Sequence, residues 1–325
     1  MKRFLKAALF ATAAATTLAA PLAAHAQAWP SKPVKIVVPS PPGGSTDQIA
    51  RAIGQKLSEA WGQPVVVENR PGAGLTLGAD YVAKSPADGY TLLMGAVHHS
   101  IAQTVYKKLP YDFGKDLAPI TVLAIVPNVL IVSASNPAKN VSELIAQAKA
   151  QPGKLSYGST GAGTAHHLIG EQFNDMAGTD ILHVAYKGSS PALVDLMGGQ
   201  IDLVVDQLSG SAAHIQSGAL RAVAVMSRQR DPALPNVPTL REAGLANFEA
   251  VTATGLLAPA GTPQDIVDTL NAALRKALAD DNVKQRLATV GSPAQASTPA
   301  EWLAMLKKEE AGAKVLAKAD KLKAD

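Results

Sequence analysis

The sequence predicts an α/β protein in two lobes, on the basis of three observations. Short apolar runs with the length of buried strands alternate with helical patterns almost throughout the chain. Glycine and proline, at 26 and 22 of 325 residues, interrupt the chain often enough for many short elements. Two segments, 119–133 and 248–259, have the character of strands that cross between lobes. We therefore expect mostly parallel sheets and a cleft enclosed by two lobes.

The first half of the chain alternates between strand and helix. The run VKIVV is continuously apolar, as in a buried parallel strand, and Ile49, Ile53 and Leu57 then recur at helical spacing. The alternation continues with the strand PVVVENR, the helix GADYVAK, the strand DGYTLLMG, a helical turn over 101–106 and the apolar piece ITVLAIVPNVLIVSA. That last piece is too long for a typical strand, and we expect an interruption at Pro127 and Asn128.

The second half repeats this pattern and then returns to the first lobe. Its segments are the helix VSELIAQAKA, the strand KLSYGS, the helix HHLIGEQFNDMA, the strand ILHVAY, the helix PALVDLMGG, and the strands IDLVVD and LRAVAVMS. Two helical segments, PQDIVDTLNAALRKAL and PAEWLAMLKKEEAGAK, follow the second crossing segment and are expected to pack onto the first lobe. The predicted division assigns residues 27–127 and 250–325 to the first lobe and 128–249 to the second.

Residues 1–26 predict a secretory signal peptide. Three basic residues open the chain, an alanine-rich apolar region follows, and an Ala-His-Ala pattern predicts cleavage before Gln27. The apolar region lacks the roughly 20 strongly apolar residues that a spanning helix needs. Cleavage leaves 299 residues and, because three basic residues and no acidic ones are removed, lowers the formal charge from +4 to +1.

Composition excludes several classes of function. No sustained stripe of lysine and arginine remains after cleavage, so nucleic acid is not an expected partner. The chain has no cysteine, which excludes a disulfide framework, thiol catalysis and a cysteine metal site. An exported fold without disulfides must depend on burial of its core.

The stretch VPSPPGGSTDQIAR, residues 38–51, joins the first strand to its helix. Ser45 and Gln48 match a capping box, which places the helix start at Asp47 or just before it. The first amides of a helix have no internal partner and carry partial positive charge. Two glycines that would let a ligand approach these amides, and two hydroxyl side chains, surround the start: Gly43, Gly44, Ser45 and Thr46. The turn therefore predicts an anion site, for example for a carboxylate.

Two later turns have the same composition. In YGSTGAGTAHHLIGE, Thr164 is a predicted N-cap, and in YKGSSPALVDLM a helix is expected to start at Ser190, with Lys187 adding a positive charge. Ligands of parallel α/β sheets bind at the carboxyl ends of the strands, so three such turns could clamp one small anion. The alternative is that each turn uses glycine, serine and proline for its backbone geometry alone.

Nucleotide binding and ester hydrolysis fit the residues less well. The second turn lacks the third glycine of G-x-G-x-x-G, and neither turn has the G-K-[ST] of a phosphate loop. A hydrolase would use Ser159, His167 and Asp206, yet Ser159 does not lie in a G-x-S-x-G elbow. Asp206, at the end of IDLVVD, is also a candidate acceptor for an amine or hydroxyl of a ligand.

Paired histidines leave metal binding open as an alternative. His98 and His99 are adjacent, as are His166 and His167, and His167 precedes Glu171 by one helical turn. Adjacent side chains point in different directions on a helix, however. A histidine near a cleft is more often a hydrogen-bonding group than a metal ligand.

Seven stretches together resemble one known family. They are VPSPPGGSTDQIAR, VVVENRPGAG, GADYVAKSPADGYTLLMG, YKKLPYD, SYGSTGAGTAHHLIGE, YKGSSPALVDLMGGQIDLVVDQ and LPNVPTLREAG. In this order, over essentially the whole mature chain, they resemble the substrate-binding proteins of tripartite tricarboxylate transporters, also called the Bug (Bordetella uptake gene) family.

The resemblance implies a fold and a function. The fold would be that of a type II periplasmic binding protein, with two α/β lobes that are joined by two strands and close on a small carboxylate ligand. The protein would be a periplasmic monomer without a catalytic step, cofactor or metal. Its partner would be the membrane subunits of a tripartite tricarboxylate permease or, as an alternative, a membrane receptor for which it acts as a sensor.

The resemblance also assigns site residues. One ligand carboxylate would lie between two sets, Gly43, Gly44, Ser45, Thr46 and Asp47 in the first lobe and Ser159, Thr160, Gly163, Thr164 and His167 in the second. His99 and Asp206 would line the variable end of the ligand. The chain departs from the common family pattern at Ser40, at Leu75 and at Ala102-Gln103. Because Ser40 and the histidine pair 98–99 lie near the expected pocket, the ligand beyond its carboxylate stays open.

Overall fold

The computed structural model describes residues 29–318 except 107, 247 and 290, and the predicted signal peptide lies outside this part. From Lys32 onward the described residues form one compact unit. Its strands are β1 (Val34–Val38), β2 (Val65–Asn69), β3 (Thr91–Ala96), β4 (Leu117–Ser133), β5 (Ser156–Ser159), β6 (Leu182–Ala185), β7 (Leu203–Gln207), β8 (Leu220–Val225) and β9 (Val251–Pro259).

The helices lie between these strands and at the C-terminal end. They are α1 (Ser45–Trp61), α2 (Thr76–Ala83), α3 (His98–Val105), α4 (Phe113–Asp116), α5 (Val141–Ala150), α6 (Ala165–Ala177), α7 (Ser189–Met197), α8 (Leu208–Gln216), α9 (Gln264–Ala279), α10 (Asp281–Thr289) and α11 (Pro299–Lys318). The predicted alternation of strand and helix is confirmed, although α4, α8 and α10 were not predicted. None of the helices described is long and apolar enough to cross a membrane.

The strands form one sheet in the order β2-β1-β3-β9-β4-β7-β5-β6, with β8 also paired to β4. β1 is parallel to β2 and β3, and β5 is parallel to β6 and β7. The prediction of mostly parallel sheets is wrong in the middle, where β4 and β9 pair antiparallel to each other and to their neighbours. Parallel strands are usually joined by a helical crossover. Because β4 and β9 cross between two groups of such strands, they can pair antiparallel.

Strand β4 runs through both groups without a break. Its residues 117–127 pair with β9, and residues 128–133 pair with β7 and β8. The predicted interruption at Pro127 and Asn128 is therefore wrong, because the strand changes partners there instead of ending. The side chain of Asn128 donates to the carbonyl of Ala250 and to the hydroxyl of Thr252, at 3.1 Å each. The point at which β4 changes partners is therefore hydrogen-bonded to β9.

We call the part around β1, β2, β3 and β9 the first lobe and the part around β5 to β8 the second lobe. The core of the first lobe contains Val37 of β1, Leu93 of β3 and Leu257 of β9. Trp302 of α11 is fully buried in the same cluster. The C-terminal helix thus packs against the sheet of the first lobe, while the positions of the lobe boundaries in the chain stay a prediction.

The burial of Trp302 predicts a large loss of stability on truncation. We expect Trp302→Ala to lower the free energy of unfolding by about 3–5 kcal/mol in denaturant titrations, because a large cavity would remain. Leu303→Ala on the same helix is the control, since Leu303 is 36% exposed. A loss for Trp302→Ala no larger than that for the control would contradict the packing described here.

Candidate functional site

The strand-to-helix turns of the two lobes are in direct contact along the cleft that the sequence predicts between the lobes. The hydroxyl of Ser190, at the start of α7, donates to the carbonyl of Pro42 in the first turn at 3.0 Å. The side chain of Gln48 donates to the carbonyl of Ser209 at 3.3 Å, and the hydroxyl of Ser209 donates to that of Ser45. The first turn is therefore in direct contact with the third turn and with the start of α8.

The second turn also contacts the first lobe. The hydroxyl of Tyr106, at the end of α3, donates to the carbonyl of Ala162 at 2.8 Å. Gly74 lies so close to this turn that an added Cβ would be 2.7 Å from the same carbonyl, so a side chain there would collide with it. All three glycine turns thus border one interface between the lobes.

Helix α1 begins at Ser45, after the N-cap residue Gly44, which has no side chain that could cap the helix. The predicted capping box of Ser45 and Gln48 is wrong. Both side chains instead reach across the cleft to Ser209, and Gln48 also donates to the carbonyl of Gly43 at 3.0 Å. The side chains of Ser45 and Gln48 therefore form a contact between the lobes and not a local helix cap.

The carboxylate of Asp47 stabilises the first turn through hydrogen bonds. Its Oδ2 accepts from the amide of Gly43 at 2.9 Å and its Oδ1 accepts from the side chain of Asn69 at 2.9 Å. The guanidinium of Arg51 contacts both oxygens, at 3.0 and 2.9 Å. Burial raises the pKa of Asp47, but the bonds from Arg51, Gly43 and Asn69 outweigh it, so the pKa lies below its usual value. The carboxylate is fully used by protein groups.

The start of α1 nevertheless offers donors to a ligand. In the part of the chain that the structure describes, no protein acceptor takes the amides of Ser45, Thr46 and Asp47, whereas the amide of Gln48 bonds to Gly44. These three amides form the first turn of the helix, where the macrodipole is positive. Their geometry suits an anion that approaches from the cleft.

The start of α6 has the same arrangement in the second lobe. Thr164 is its N-cap, as predicted, and its hydroxyl accepts from the amide of His167 at 3.4 Å. The amide of Gly163 donates to Nδ1 of His167 at 3.1 Å, so both groups are used within the turn. Across the described ranges, no protein acceptor takes the amides of Ala165 and His166. Sequence reasoning missed these two positions because a side-chain pattern does not show which backbone amides stay unpaired.

His166 is held neutral between the second turn and strand β4. Its Nε2 lies 3.1 Å from Oδ1 of Asn128, and its Nδ1 lies 2.8 Å from the hydroxyl of Thr160. The amide nitrogen of Asn128 donates elsewhere, so Oδ1 is the acceptor and Nε2 carries the proton. Burial lowers the pKa of His166 to about 4, which agrees with a neutral ring.

In the adjacent pair His98 and His99, each ring has a buried Nε2 without a hydrogen-bond partner among the described residues. His99 Nδ1 lies 3.2 Å from the carbonyl of Ala96, and its ring stacks on Phe113. His98 Nε2 is buried and finds no partner among the described residues, and burial, with His99 and His166 nearby, lowers the pKa of His98. Among these residues no three metal-ligating side chains form a group that could hold an ion.

Asp206 lies at the end of β7 with one uncommitted oxygen. Its Oδ1 accepts from the hydroxyl of Ser189 in the third turn. Its Oδ2 is buried and has no partner within the described chain. Burial raises the pKa of Asp206 to about 7, against the opposing effect of Ser189 and the Gln207 amide. None of the buried polar residues described is a lysine or arginine, so no buried cation balances this carboxyl group.

The three residues considered for a hydrolase do not form a relay. Ser159 Oγ bonds to His183 Nε2 at 2.6 Å, not to His167, and Asp206 bonds to Ser189. His183 was missed in the sequence because only the pairing of β5 with β6 brings it beside Ser159. Ser159 and His167 do share one cluster, since the rings of His167 and His183 stack with centroids 3.8 Å apart.

Comparison with known proteins gives one consistent family. The family described as "Tripartite tricarboxylate transporter family receptor" matches residues 49–319. Protein BugT of Bordetella pertussis is 38% identical over 284 residues, which cover 87% of this chain and 86% of BugT.

Solved structures agree with that match. "R. palustris Rpa4515 with adipate" has a TM-score of 0.87 at 38% identity, covering 91% of this chain and 99% of that one. MatC from Rhodopseudomonas palustris with bound malate has a TM-score of 0.84 at 33% identity, covering 89% and 99%. These similarities confirm the predicted fold, the two-lobed fold of type II periplasmic binding proteins.

The hydrogen bonds of Asp47 in the first turn predict that replacing this residue lowers stability in a pH-dependent way. We expect Asp47→Asn to lower the free energy of unfolding at pH 7 by about 1–3 kcal/mol, because charged hydrogen bonds are lost. The pKa of Asp47 is lower in the folded state, so its contribution is complete above the usual value of 3.8 and is lost as the pH falls through the folded value. Denaturant titrations from pH 7 to pH 2.5 should show the variant and the wild type converging.

The control for this series is Asp281→Asn, because the side chain of Asp281 is 99% exposed. It should follow the wild type at every pH. A constant difference between Asp47→Asn and the wild type down to the lowest pH would contradict the role of the Asp47 charge.

Proposed function

Because the chain belongs to the tripartite tricarboxylate transporter receptor family, which includes the Bug proteins, we propose that it is a periplasmic solute-binding protein that captures a small carboxylate. One observation carries the proposal. The helix starts of α1 and α6, one from each lobe, lie in turns that contact the opposite lobe, and among the described residues no protein acceptor takes their first amides. Carboxylate oxygens accept hydrogen bonds from such amides and are stabilised by both helix dipoles.

The clamp would use backbone groups more than side chains. We propose direct contacts from the amides of Ser45, Thr46 and Asp47 in the first lobe and of Ala165 and His166 in the second. The other residues expected to bind the carboxylate would have a supporting role: they are Gly43, Gly44, Ser159, Thr160, Gly163, Thr164 and His167. The amides of Gly43 and Gly163 are hydrogen-bonded within the turns. The side chains of Ser159, Thr160, Thr164 and His167 are hydrogen-bonded as well.

Capture would proceed by closure of the lobes. The bonds that Ser190, Ser209 and Gln48 make across the cleft require the turns to be in contact, so they would be absent in an open form. A carboxylate bound to amides of both lobes stabilises the closed form only, and it therefore shifts the population toward closure. The closed form would then deliver its ligand to a tripartite tricarboxylate-type permease in the membrane.

The other end of the ligand would meet polar groups that lack partners. Among the described residues, His98 Nε2, His99 Nε2, Asp206 Oδ2 and Ser40 Oγ are buried without a hydrogen bond. Leaving such groups unpaired in the closed form costs free energy, so a ligand with a second polar group would be favoured. Malate and adipate, named for the two structural relatives, each carry two polar ends. The contact expected from His99 stays part of this proposal, and the adjacent His98 offers a second imidazole nitrogen of the same kind.

A thermal-shift screen tests the proposal. We expect at least one carboxylate from a panel of adipate, malate, aromatic carboxylates and acidic amino acids to raise the melting temperature, because a ligand of the native state stabilises it by mass action. Zinc serves as a separate sample. A shift with zinc and with no carboxylate would contradict the proposal and favour the histidines as a metal site.

Replacing Ala165 tests the clamp itself. Ala165 is the first residue of α6, and Thr164 before it is extended, at ψ 167°, so a proline is compatible with the backbone there. Ala165→Pro removes one amide donor, and we expect about ten- to hundredfold weaker binding of the carboxylate found in the screen. Ala165→Ser keeps the amide and is the matched control. Equal affinities for the two variants would exclude this amide from the clamp.

A further inference from the structure

Two stacked histidines, His167 of α6 and His183 of β6, are hydrogen-bonded to residues of the second turn. Their ring centroids lie 3.8 Å apart and their planes differ by 7°. Tyr157 contacts this pair, with its ring 5.0 Å from that of His183. The hydroxyl of Tyr157 donates to the side chain of Glu171 at 2.7 Å, which fixes the position of the tyrosine.

Each histidine holds one amide of the turn. His167 Nδ1 accepts from the amide of Gly163 at 3.1 Å. His183 Nε2 bonds at 2.6 Å to the hydroxyl of Ser159, and this hydroxyl accepts from the amide of Gly161 at 3.1 Å. The peptide of Gly161 is thereby connected to His183 through one side chain.

The turn needs such support because its backbone is glycine-rich. Gly161 has φ +141° and Gly163 has φ +72°, values that other residues rarely adopt. Glycine loses the most conformational freedom on folding, so an unsupported turn would sample many shapes. The carbonyl of Gly161 accepts from the hydroxyl of Thr164 at 2.7 Å, so its position also orients the N-cap of α6.

Packing in the core does not explain why a histidine stands at position 183. Strand β6 is at one end of the sheet order, and its side chains are exposed or half-buried. Burial, together with the neighbouring His167, lowers the pKa of His183 to about 3, so the ring is neutral and bonds as a neutral partner.

We propose that His183 is a positioning residue that, through Ser159 and with His167, holds the second turn in the shape in which α6 presents its free amides. A turn that is already formed does not lose conformational freedom again when a ligand binds. The consequence for affinity rests on the proposed function, whereas the effect on the turn can be measured without any ligand.

Hydrogen exchange in the protein without added carboxylate tests the proposal. With ¹⁵N-labelled glycine, the amides of Gly161 and Gly163 report on the turn, and that of Gly178, which bonds to Asn174 at the end of α6, is the internal reference. His183→Phe keeps an aromatic ring for the stack but cannot bond to Ser159. We expect it to speed exchange at Gly161 about tenfold and to leave Gly178 unchanged.

Two further variants separate positioning from general stability. His183→Gln restores a hydrogen-bonding group, and we expect exchange at Gly161 to return toward the wild-type rate. Ser159→Ala should speed exchange as His183→Phe does, and the double variant should add little, because His183 acts through the Ser159 hydroxyl. Unchanged exchange at Gly161 in His183→Phe would overturn the proposal, and so would an equal increase at Gly178.

Titrations with adipate and malate connect the turn to binding. If either binds the wild type, we expect His183→Phe to weaken it and His183→Gln to restore it in part. Unchanged affinity in His183→Phe would contradict a link between the His183 contact and carboxylate binding by the amides of α6. If no carboxylate binds the wild type, the proposed function fails, and exchange at Gly161 still decides whether His183 positions the turn.

Discussion

The first amides of an α-helix have no acceptor within the helix, and this constraint organises the cleft. At α1 and α6 the unpaired amides border the interface between the lobes, where no protein group takes them among the described residues. The side chains nearby serve to hold the backbone in place. Asp47 does so in the first turn, and His167 with His183 does so in the second. The proposed site thus consists of backbone donors with side-chain supports, which suits a small anion.

The crossing strand connects this site to the joint between the lobes. At Asn128 strand β4 exchanges β9 for β7 as its partner. The same side chain bonds to Thr252 of β9 and to His166, whose amide is one of the unpaired donors. His166 in turn contacts Thr160 in the second turn. Buried hydrogen bonds therefore connect the point at which β4 changes partners to the second turn.

The sequence predicted the alternation of elements, the two lobes, the three turns and the N-cap at Thr164, because these depend on local residue types and periodicity. It failed where partners are distant in the chain. The Ser45 and Gln48 side chains bond to Ser209 instead of forming a cap, and β4 continues through Pro127 because it finds new neighbours there. His183 was missed because strand pairing, not spacing, brings it to Ser159. Unpaired amides at Ala165 and His166 leave no signal in side-chain identity.

A crystal structure of the protein with the carboxylate that raises its melting temperature most would test the central claim directly. We expect one carboxylate oxygen to lie within about 2.7–3.2 Å of an amide among Ser45, Thr46 and Asp47, and the same group to contact the amide of Ala165 or His166. A carboxylate that is bound through lysine, arginine or metal outside these helix starts, with the amides facing only solvent, would contradict it.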